Sequence, residues 1–378
     1  MREPPIVIIG AGTVGLAVGW RLAEAGERVV LFEKERAGRG ASWQAAGMLA
    51  PDAEIGFEEL DLYALSRESL RRWPAFADEL EDASGQQVDL RTEGTFVVAD
   101  DPDSANALRR LFEFQKEQGL GVDWLTPEAA LESEPFLAPR LAAAVFAPSD
   151  HQVDNRRLVQ ALRTAFERAG GELHEDTPVP SVHPGNEGGN EPPAVTTAGD
   201  DGNAERVEAR AVVVAAGVGT RDIDGLEEAP AVRPVKGQMI ELQAKRPFAL
   251  EHVVRGPDAY LAPKSDGRLL VGATSEERGF DTRVTAGGLF ELLEGARQVV
   301  PGVDELEVTG AWAGLRPAAR DNAPLLGESG RPGIVMATGH YRHGVLLTPV
   351  TADEIAHLVL DGETSHWIEA FSPKRLLT

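Results

Sequence analysis

Residues 6–33 read IVIIGAGTVGLAVGWRLAEAGERVVLFE, and no other stretch limits the fold so much. An apolar β-type run, Ile6 to Ile9, leads into Gly10, Gly12 and Gly15 at G-x-G-x-x-G spacing. A helical pattern then runs to Gly26, and a second strand, Arg28 to Phe32, ends at Glu33. Each part has a physical job in a dinucleotide cradle. Gly10 permits the tight turn out of the strand, Gly12 lets backbone approach a pyrophosphate, and Gly15 lets helix and strand pack closely. The helix N-terminus offers unpaired N–H groups and a positive dipole end to phosphate. Glu33, eighteen residues after Gly15, can accept bonds from both ribose hydroxyls of an adenosine. A lone glycine fingerprint is weak in a chain with 40 glycines, but here strand, glycines, helix, second strand and acid occur in order.

The rest of the composition narrows the class. A chain of 378 residues can form two domains with substantial cores. No apolar run approaches the roughly 20 residues that cross a bilayer, and the start MREPP reads as neither signal peptide nor anchor. The absence of cysteine excludes disulfides, thiolate metal sites and a cysteine nucleophile, and suits a reducing compartment, so a cytoplasmic location is expected. The eight histidines are scattered, and the close pair His340 and His343 has no nearby carboxylate before Asp353, so no metal site is expected. A net charge of -24 argues against nucleic acid or an anionic membrane as partner.

Along the chain the pattern predicts two interleaved domains. The small-residue stretch GRGASWQAAGMLAP, residues 38–51, cannot fill a core and reads as a loop opening a helix. Residues 57–82 carry Leu62, Leu65, Leu70 and Phe76 among many charges, an amphipathic helix. Strands at 95–99 and 143–147 flank a helix over about 104–118. A helix over 155–169 is capped by Asp154 or Asn155 and stopped by Gly170 and Gly171. Residues 184–204 are mostly turn formers and read as hairpin loops around a short strand. Ala211 to Gly217, AVVVAAG, is a buried-type strand whose end includes Ala216 and Gly217. Further strands are expected at 237–242, 259–263, 268–272 and 333–336, then TGHYRHG, then a helix over about 345–360.

These segments carry a family resemblance over essentially the whole chain. The fingerprint with Glu33, the ASWQAAGMLAP loop, the VVVAAG strand, GLRPAARDNAPLLG and GHYRHGVLLTP together resemble the D-amino-acid oxidase superfamily of FAD-dependent oxidoreductases, and within it the glycine oxidases of thiamine biosynthesis. The resemblance implies an α/β fold: a Rossmann-like FAD-binding domain of the GR2 type, interleaved with an α+β substrate domain on a mostly antiparallel sheet. The FAD-binding domain is then 1–85, 145–228 and 309–378, and the substrate domain 86–144 and 229–308. It implies noncovalent FAD held by Thr13, Val14, Glu33, Lys34, Ala41, Ser42, Ala46, Gly47, Met48 and Val179, with His340, Tyr341, Arg342, His343, Gly344, Val345 and Leu346 looping under the flavin. Covalent attachment is disfavoured, because the chain has no cysteine and residues 1–150 contain no histidine.

The resemblance also implies that Arg316 and Arg342 are substrate-side arginines and that Tyr260 lines the pocket. Arg316 sits in G-L-R-P, between a glycine that gives room and a proline that stiffens the turn; a guanidinium fork held in a fixed direction suits a carboxylate. Arg342 is expected just before a helix N-terminus, where charge and dipole would together stabilise an anion. Tyr260 can donate to the same carboxylate. The implied reaction is oxidation of glycine, sarcosine or a small D-amino acid to its imine, then to glyoxylate or another 2-oxo acid and ammonia, with dioxygen reduced to hydrogen peroxide. A homo-oligomer and a link to thiazole synthesis follow from the same resemblance. The alternatives are a sarcosine or D-amino-acid oxidase or dehydrogenase of the superfamily, an NAD-linked dehydrogenase, and a flavoprotein that modifies a macromolecule.

Overall fold

The computed structural model describes residues 3–186, 191–198, 204–226 and 230–376. Parts of the 184–204 loop region and the expected boundary at 228/229 lie outside the described residues. Two large sheets organise the chain. The first has six strands in the order Leu325–Glu328, Ile334–Thr338, Ala211–Val214, Ile6–Ile9, Val29–Phe32 and Glu172–His174. All neighbours are parallel except the Leu325–Glu328 edge strand. Ile6–Ile9 is central and every residue in it is buried, because both faces of a parallel sheet are covered. Ile6 and Ile8 pack with the helices Thr13–Glu24, Leu60–Ser84, Asn155–Arg168 and Thr348–Asp361. Val7 and Ile9 face the other way, towards Val182 and Val195 of a three-stranded antiparallel sheet.

The second sheet has eight strands in the order Glu307–Ala318, Arg233–Gln243, Arg268–Gly272, Tyr260–Pro263, Val253–Arg255, Thr95–Ala99, Ala143–Ala147 and Asp123–Leu125. Only the Val253–Arg255 and Thr95–Ala99 pair is parallel. Alternation sorts its side chains. Ile240, Leu242, Leu261 and Val271 pack under Leu292, Ala296 and Val299 of the helix Ala286–Val299. Met239, Tyr260, Ala262 and Leu270 turn to the opposite face, where they meet Ala46 and Met48 of the small-residue loop. That contact brings the two sheets to one site.

The α/β class and its antiparallel second sheet agree with the sequence reading, but several boundaries move. Strands Ala143–Ala147 and Glu307–Ala318 run whole in the eight-stranded sheet, so the expected divisions at 144/145 and 308/309 fall inside strands. The AVVVAAG strand pairs beside Ile6–Ile9 but ends at Val214; Ala216 and Gly217 lie in the turn that opens a 3-10 segment, Gly217–Asp222. The last long helix begins at Thr348, with Pro349 in its first turn where a missing N–H costs nothing. Residues 341–347 are turns, so Arg342 is not adjacent to that helix terminus as expected.

Candidate active site and cofactor cradle

A cavity of about 560 Å³ opens between the two sheets, lined at one end by the fingerprint and at the other by the eight-stranded sheet. The fingerprint glycines are required by backbone contact. Gly10 has φ of 102°, and a Cβ there would lie 2.6 Å from the Ala215 carbonyl oxygen. A Cβ on Gly15 would collide with the Gly10 carbonyl oxygen. Gly12 is the N-cap of Thr13–Glu24 and has no side chain of its own to cap it, so apart from the Thr13 amide the first-turn amides are left for an anion. Ser42 Oγ accepts from the Thr13 amide at 3.0 Å, and Asn155 Nδ2 donates to the Ser42 and Trp43 carbonyls at 2.8 and 2.9 Å. The helical turn Ala41–Gln44 is thereby fixed over the fingerprint.

Glu33 reaches the cavity, but its carboxylate also serves the protein. Oε2 accepts from the Ala11 amide at 2.8 Å and Oε1 from the Glu35 amide at 3.2 Å. It therefore braces the fingerprint turn, and its remaining lone pairs are not used by these two bonds. Of the other residues expected around the cofactor, Thr13, Val14, Lys34, Ala41, Ser42, Ala46, Gly47, Met48, Ala216, Gly217, His340, Tyr341, Arg342, Gly344 and Val345 line the cavity. Gly15, Val179, His343 and Leu346 do not. Val179 is buried among Phe32, Val30 and Val182, beneath the sheet edge, and Leu346 is in the helical core with Val345 and Leu347.

At the far end, register assembles the wall. Arg255 pairs with Tyr260, Tyr260 with Gly272, Gly272 with Met239, and Met239 with Trp312, a row of five across five strands. Directly paired residues share a face. A Cβ on Gly272 would meet both the Met239 sulfur and, at 2.6 Å, the Tyr260 hydroxyl, so glycine here is what leaves room for the ring. Burial pushes the Tyr260 hydroxyl up to about 12, with Arg316 acting against that rise, so the phenol stays a proton donor. Arg316 lies two pairs beyond Gly237 and Gly314 along the outer strands. A Cβ on Gly237 would come within 2.5–2.7 Å of its guanidinium, so the glycine lets the fork lie flat on the sheet. Nη1 donates to the Thr274 carbonyl at 3.0 Å, and among the described residues no carboxylate pairs with Arg316.

Arg342 differs. It lines the cavity but donates to Glu59 at 3.0 Å, with its side chain about a third exposed. Beneath it lies a cluster that sequence reading missed. Glu54, from the turn Pro51–Glu54, ion-pairs with Arg255, and both line the cavity. Burial works to raise the Glu54 carboxyl, yet Arg255, His343 and Arg342 outweigh it and hold it below the usual range. The turn is itself fixed from below, because Asp150 accepts from the Asp52 and Ala53 amides at 3.0 Å each. His343, with Nδ1 4.0 Å from Glu54, is pulled down to about 4 by burial, and His340 to about 3 by burial and by His343. Both are neutral imidazoles near neutral pH. Glu54 and Arg255 gave no local signal, since only the pairing of Val253–Arg255 with Tyr260–Pro263 puts Arg255 on the cavity face.

Comparison with known proteins settles the family. The sequence matches the DAO family, described as FAD dependent oxidoreductase, over residues 5–358. The chain belongs to this family. It is an FAD-dependent oxidoreductase, and the uncapped helix terminus, the glycine approach and the long cavity fit that cofactor. Glycine oxidase of Geobacillus kaustophilus is 38% identical over 98% of this chain and 96% of that protein. The bifunctional protein ThiO/ThiG of Synechocystis is 34% identical over 99% of this chain and 54% of its own length. The crystal structure of glycine oxidase from Geobacillus kaustophilus superimposes with a TM-score of 0.91 at 36% identity, covering 99% of both chains. Among the described residues no group of three or more His, Cys, Asp or Glu side chains forms a metal site, and no helix is long and apolar enough to cross a membrane.

Proposed function

We propose that this enzyme oxidises glycine and other small amino acids, sarcosine and small D-amino acids among them, to the imine, which hydrolyses to glyoxylate or another 2-oxo acid and ammonia. The part built on the six-stranded sheet holds FAD noncovalently, and the part built on the eight-stranded sheet holds the substrate. The observation that carries the reading is Arg316: a guanidinium laid flat at the cavity wall over Gly237, without a carboxylate partner among the described residues. Arg316 is only partly buried, but its guanidinium faces the cavity with no counter-charge among the described residues, and a substrate carboxylate supplies one through a bidentate pair. Tyr260 donates to the same carboxylate, and Arg342, which lines the cavity beside its Glu59 partner, adds positive charge on the substrate side. Glu33 receives the ribose hydroxyls, and the open N-terminus at Gly12 receives the pyrophosphate.

Bound FAD supplies the two-electron acceptor for the hydrogen leaving the substrate Cα. The residues around it bind and orient, and fixing the substrate at both ends provides much of the rate. No side chain on this wall is suited to be a general base. Tyr260, pushed up to about 12, stays protonated; His340, pulled down to about 3, is a weak base; His343 lies off the cavity; and Glu54 is held low against burial, chiefly by Arg255. The substrate therefore reacts as the free amine and loses its ammonium proton to solvent. Dioxygen takes the electrons and gives hydrogen peroxide. A Rhizobium etli relative named putative thiamine biosynthesis oxidoreductase ThiO, 33% identical over 94% of this chain, supports placing the product in thiamine biosynthesis.

Anaerobic mixing of the holoenzyme with glycine, sarcosine, D-alanine, D-proline and benzylamine, followed by air, tests the reading. Glycine and sarcosine bleach the flavin fastest, small D-amino acids more slowly and benzylamine hardly at all, and air restores the colour with peroxide formed. Bleaching by bulky D-amino acids alone contradicts the glycine assignment, and slow recovery in air makes the enzyme a dehydrogenase.

A further inference from the structure

Lys264 is a buried cation that the substrate chemistry does not use. It follows Pro263 at the end of the strand that begins with Tyr260, it is 4% exposed, and it does not line the cavity. Its Nζ donates to three acceptors: the Ala46 carbonyl at 2.7 Å, the Val153 carbonyl at 2.9 Å and Gln152 Oε1 at 3.1 Å. An ammonium has three N–H donors, so all are matched and none is left over.

The acceptors are all attached to the cofactor loop. Ala46 lines the cavity directly. The Val153 amide donates to the Gly47 carbonyl at 2.8 Å, and Gln152 pairs with Met48 across a short antiparallel ladder. Gly47 has φ of 78°, and a Cβ there would run into the Val153 carbonyl oxygen, so the loop turns back tightly at the point where Lys264 holds it. On the other side, the Lys264 amide donates to the Arg268 carbonyl at 2.8 Å, closing the turn between the strands that contribute Tyr260 and Gly272 to the cavity wall. Arg91 Nη1 donates to the Pro263 carbonyl at 2.8 Å and holds the same strand end.

We propose that Lys264 is a positioning residue that locks the cofactor loop Ala46–Met48 to the strand carrying Tyr260, setting FAD affinity and the placement of the substrate carboxylate together. The part of this concerning substrate rests on the reading given above; the part concerning FAD does not. Removal of the ammonium leaves two backbone carbonyls and an amide oxygen buried without donors, and the least costly relaxation is to open the contact between loop and strand. The charged groups around Nζ are Asp154 and Asp89, which favour the ammonium, and Arg268 and Arg91, which oppose it; burial pulls Lys264 down to about 7. The three acceptors favour the protonated form against that burial.

The test compares Lys264→Met and Lys264→Arg with the unmodified chain in three measurements: FAD affinity by titrating apoprotein, KM and kcat at saturating FAD with whichever amine bleaches the flavin, and melting of the apoprotein. Lys264→Met weakens FAD by about tenfold or more and raises KM by about fivefold, with a smaller change in kcat. Lys264→Arg recovers most of both effects, because it restores donors to the same acceptors. FAD affinity within about twofold of the parent overturns the proposal, as does weakened FAD binding with KM unchanged. If Lys264→Met does not fold, Gln152→Leu, which removes one acceptor and keeps the charge, is measured in the same way: about threefold weaker FAD supports the lock, and unchanged FAD affinity with unchanged KM overturns it. If no amine bleaches the flavin, the proposed substrate fails separately and FAD affinity alone decides.

Discussion

The two ends of the cavity are built by different means. At the cofactor end the constraints are mostly local: Gly10, Gly12, Gly15 and Glu33 fall within twenty-four residues, and apart from Ser42 against Gly12 their close contacts are in the same βαβ unit or beside the neighbouring strand. At the substrate end, the cavity-lining Arg255, Tyr260, Gly272 and Met239 come from four strands and meet only because their registers align. A cradle for a common cofactor can be written as a motif, whereas a wall that chooses a substrate is written in pairings between distant strands.

The difference predicts which changes act where. Arg316→Ala has the largest effect: loss of one side of a charge-assisted bidentate pair costs about 2–5 kcal/mol, or roughly 30- to 4000-fold in KM for amino acids. FAD affinity stays near that of the parent. Arg316→Lys recovers only part, because a point charge cannot reproduce the fork. A similar rise in KM for simple amines without a carboxylate would place Arg316 elsewhere in the chemistry.

Glu33→Ala is the counterpart at the cofactor end. It removes a charged acceptor from the ribose and from the Ala11 amide, and weakens FAD by about 1.5–3 kcal/mol, measured by apoprotein titration. KM at saturating FAD is unchanged. If KM moved as much as FAD affinity, the two ends would not be separable.

Gly272→Ala acts in the substrate wall through shape. The added methyl meets Tyr260 and Met239, and overpacking of this kind costs about 1–3 kcal/mol, read as a lower melting temperature and a higher KM. FAD affinity is retained. Normal KM in a stable variant would mean that the Tyr260 ring has another position open to it.

The smallest effect comes from His340 and His343, between the two ends. Their folded-state values, about 3 and about 4, lie below the 6.5 of an exposed imidazole. As pH falls below 6.5 the unfolded chain takes up protons that the folded chain refuses, so stability decreases on acidification. Between pH 7 and pH 5.5 the loss is about 1 kcal/mol for each histidine, measured by denaturant unfolding at the two values. A double His340→Gln, His343→Gln variant loses this part of the pH dependence, and a parent with no steeper dependence than the variant would show the imidazoles to be solvated.

What could be read from the sequence follows the same division. The βαβ unit, the AVVV strand beside it and the capped helix Asn155–Arg168 each carry their own signal, and the structure has them where expected. Arg316 and Tyr260 were placed by resemblance, and Arg316 also by its Gly-Leu-Arg-Pro setting. Glu54, Arg255 and Lys264 were missed because nothing nearby in sequence distinguishes them from surface charges. Their roles arise from burial and from partners far along the chain: Arg255 for Glu54, and Ala46 and Val153 for Lys264. The helix expected over about 345–360 is present but starts at Thr348, because periodicity ran back through turn residues ahead of Pro349.

Titration of the holoenzyme and its Arg316→Ala variant with glycolate and with methylamine, followed by the visible flavin spectrum, tests most directly whether the cavity recognises a carboxylate through Arg316. Glycolate has the carboxylate without an amine, and methylamine has the amine without a carboxylate. Glycolate perturbs the parent spectrum with saturation, binds the variant at least about thirtyfold more weakly, and methylamine perturbs neither. Equal glycolate affinity in the two proteins would contradict the assignment.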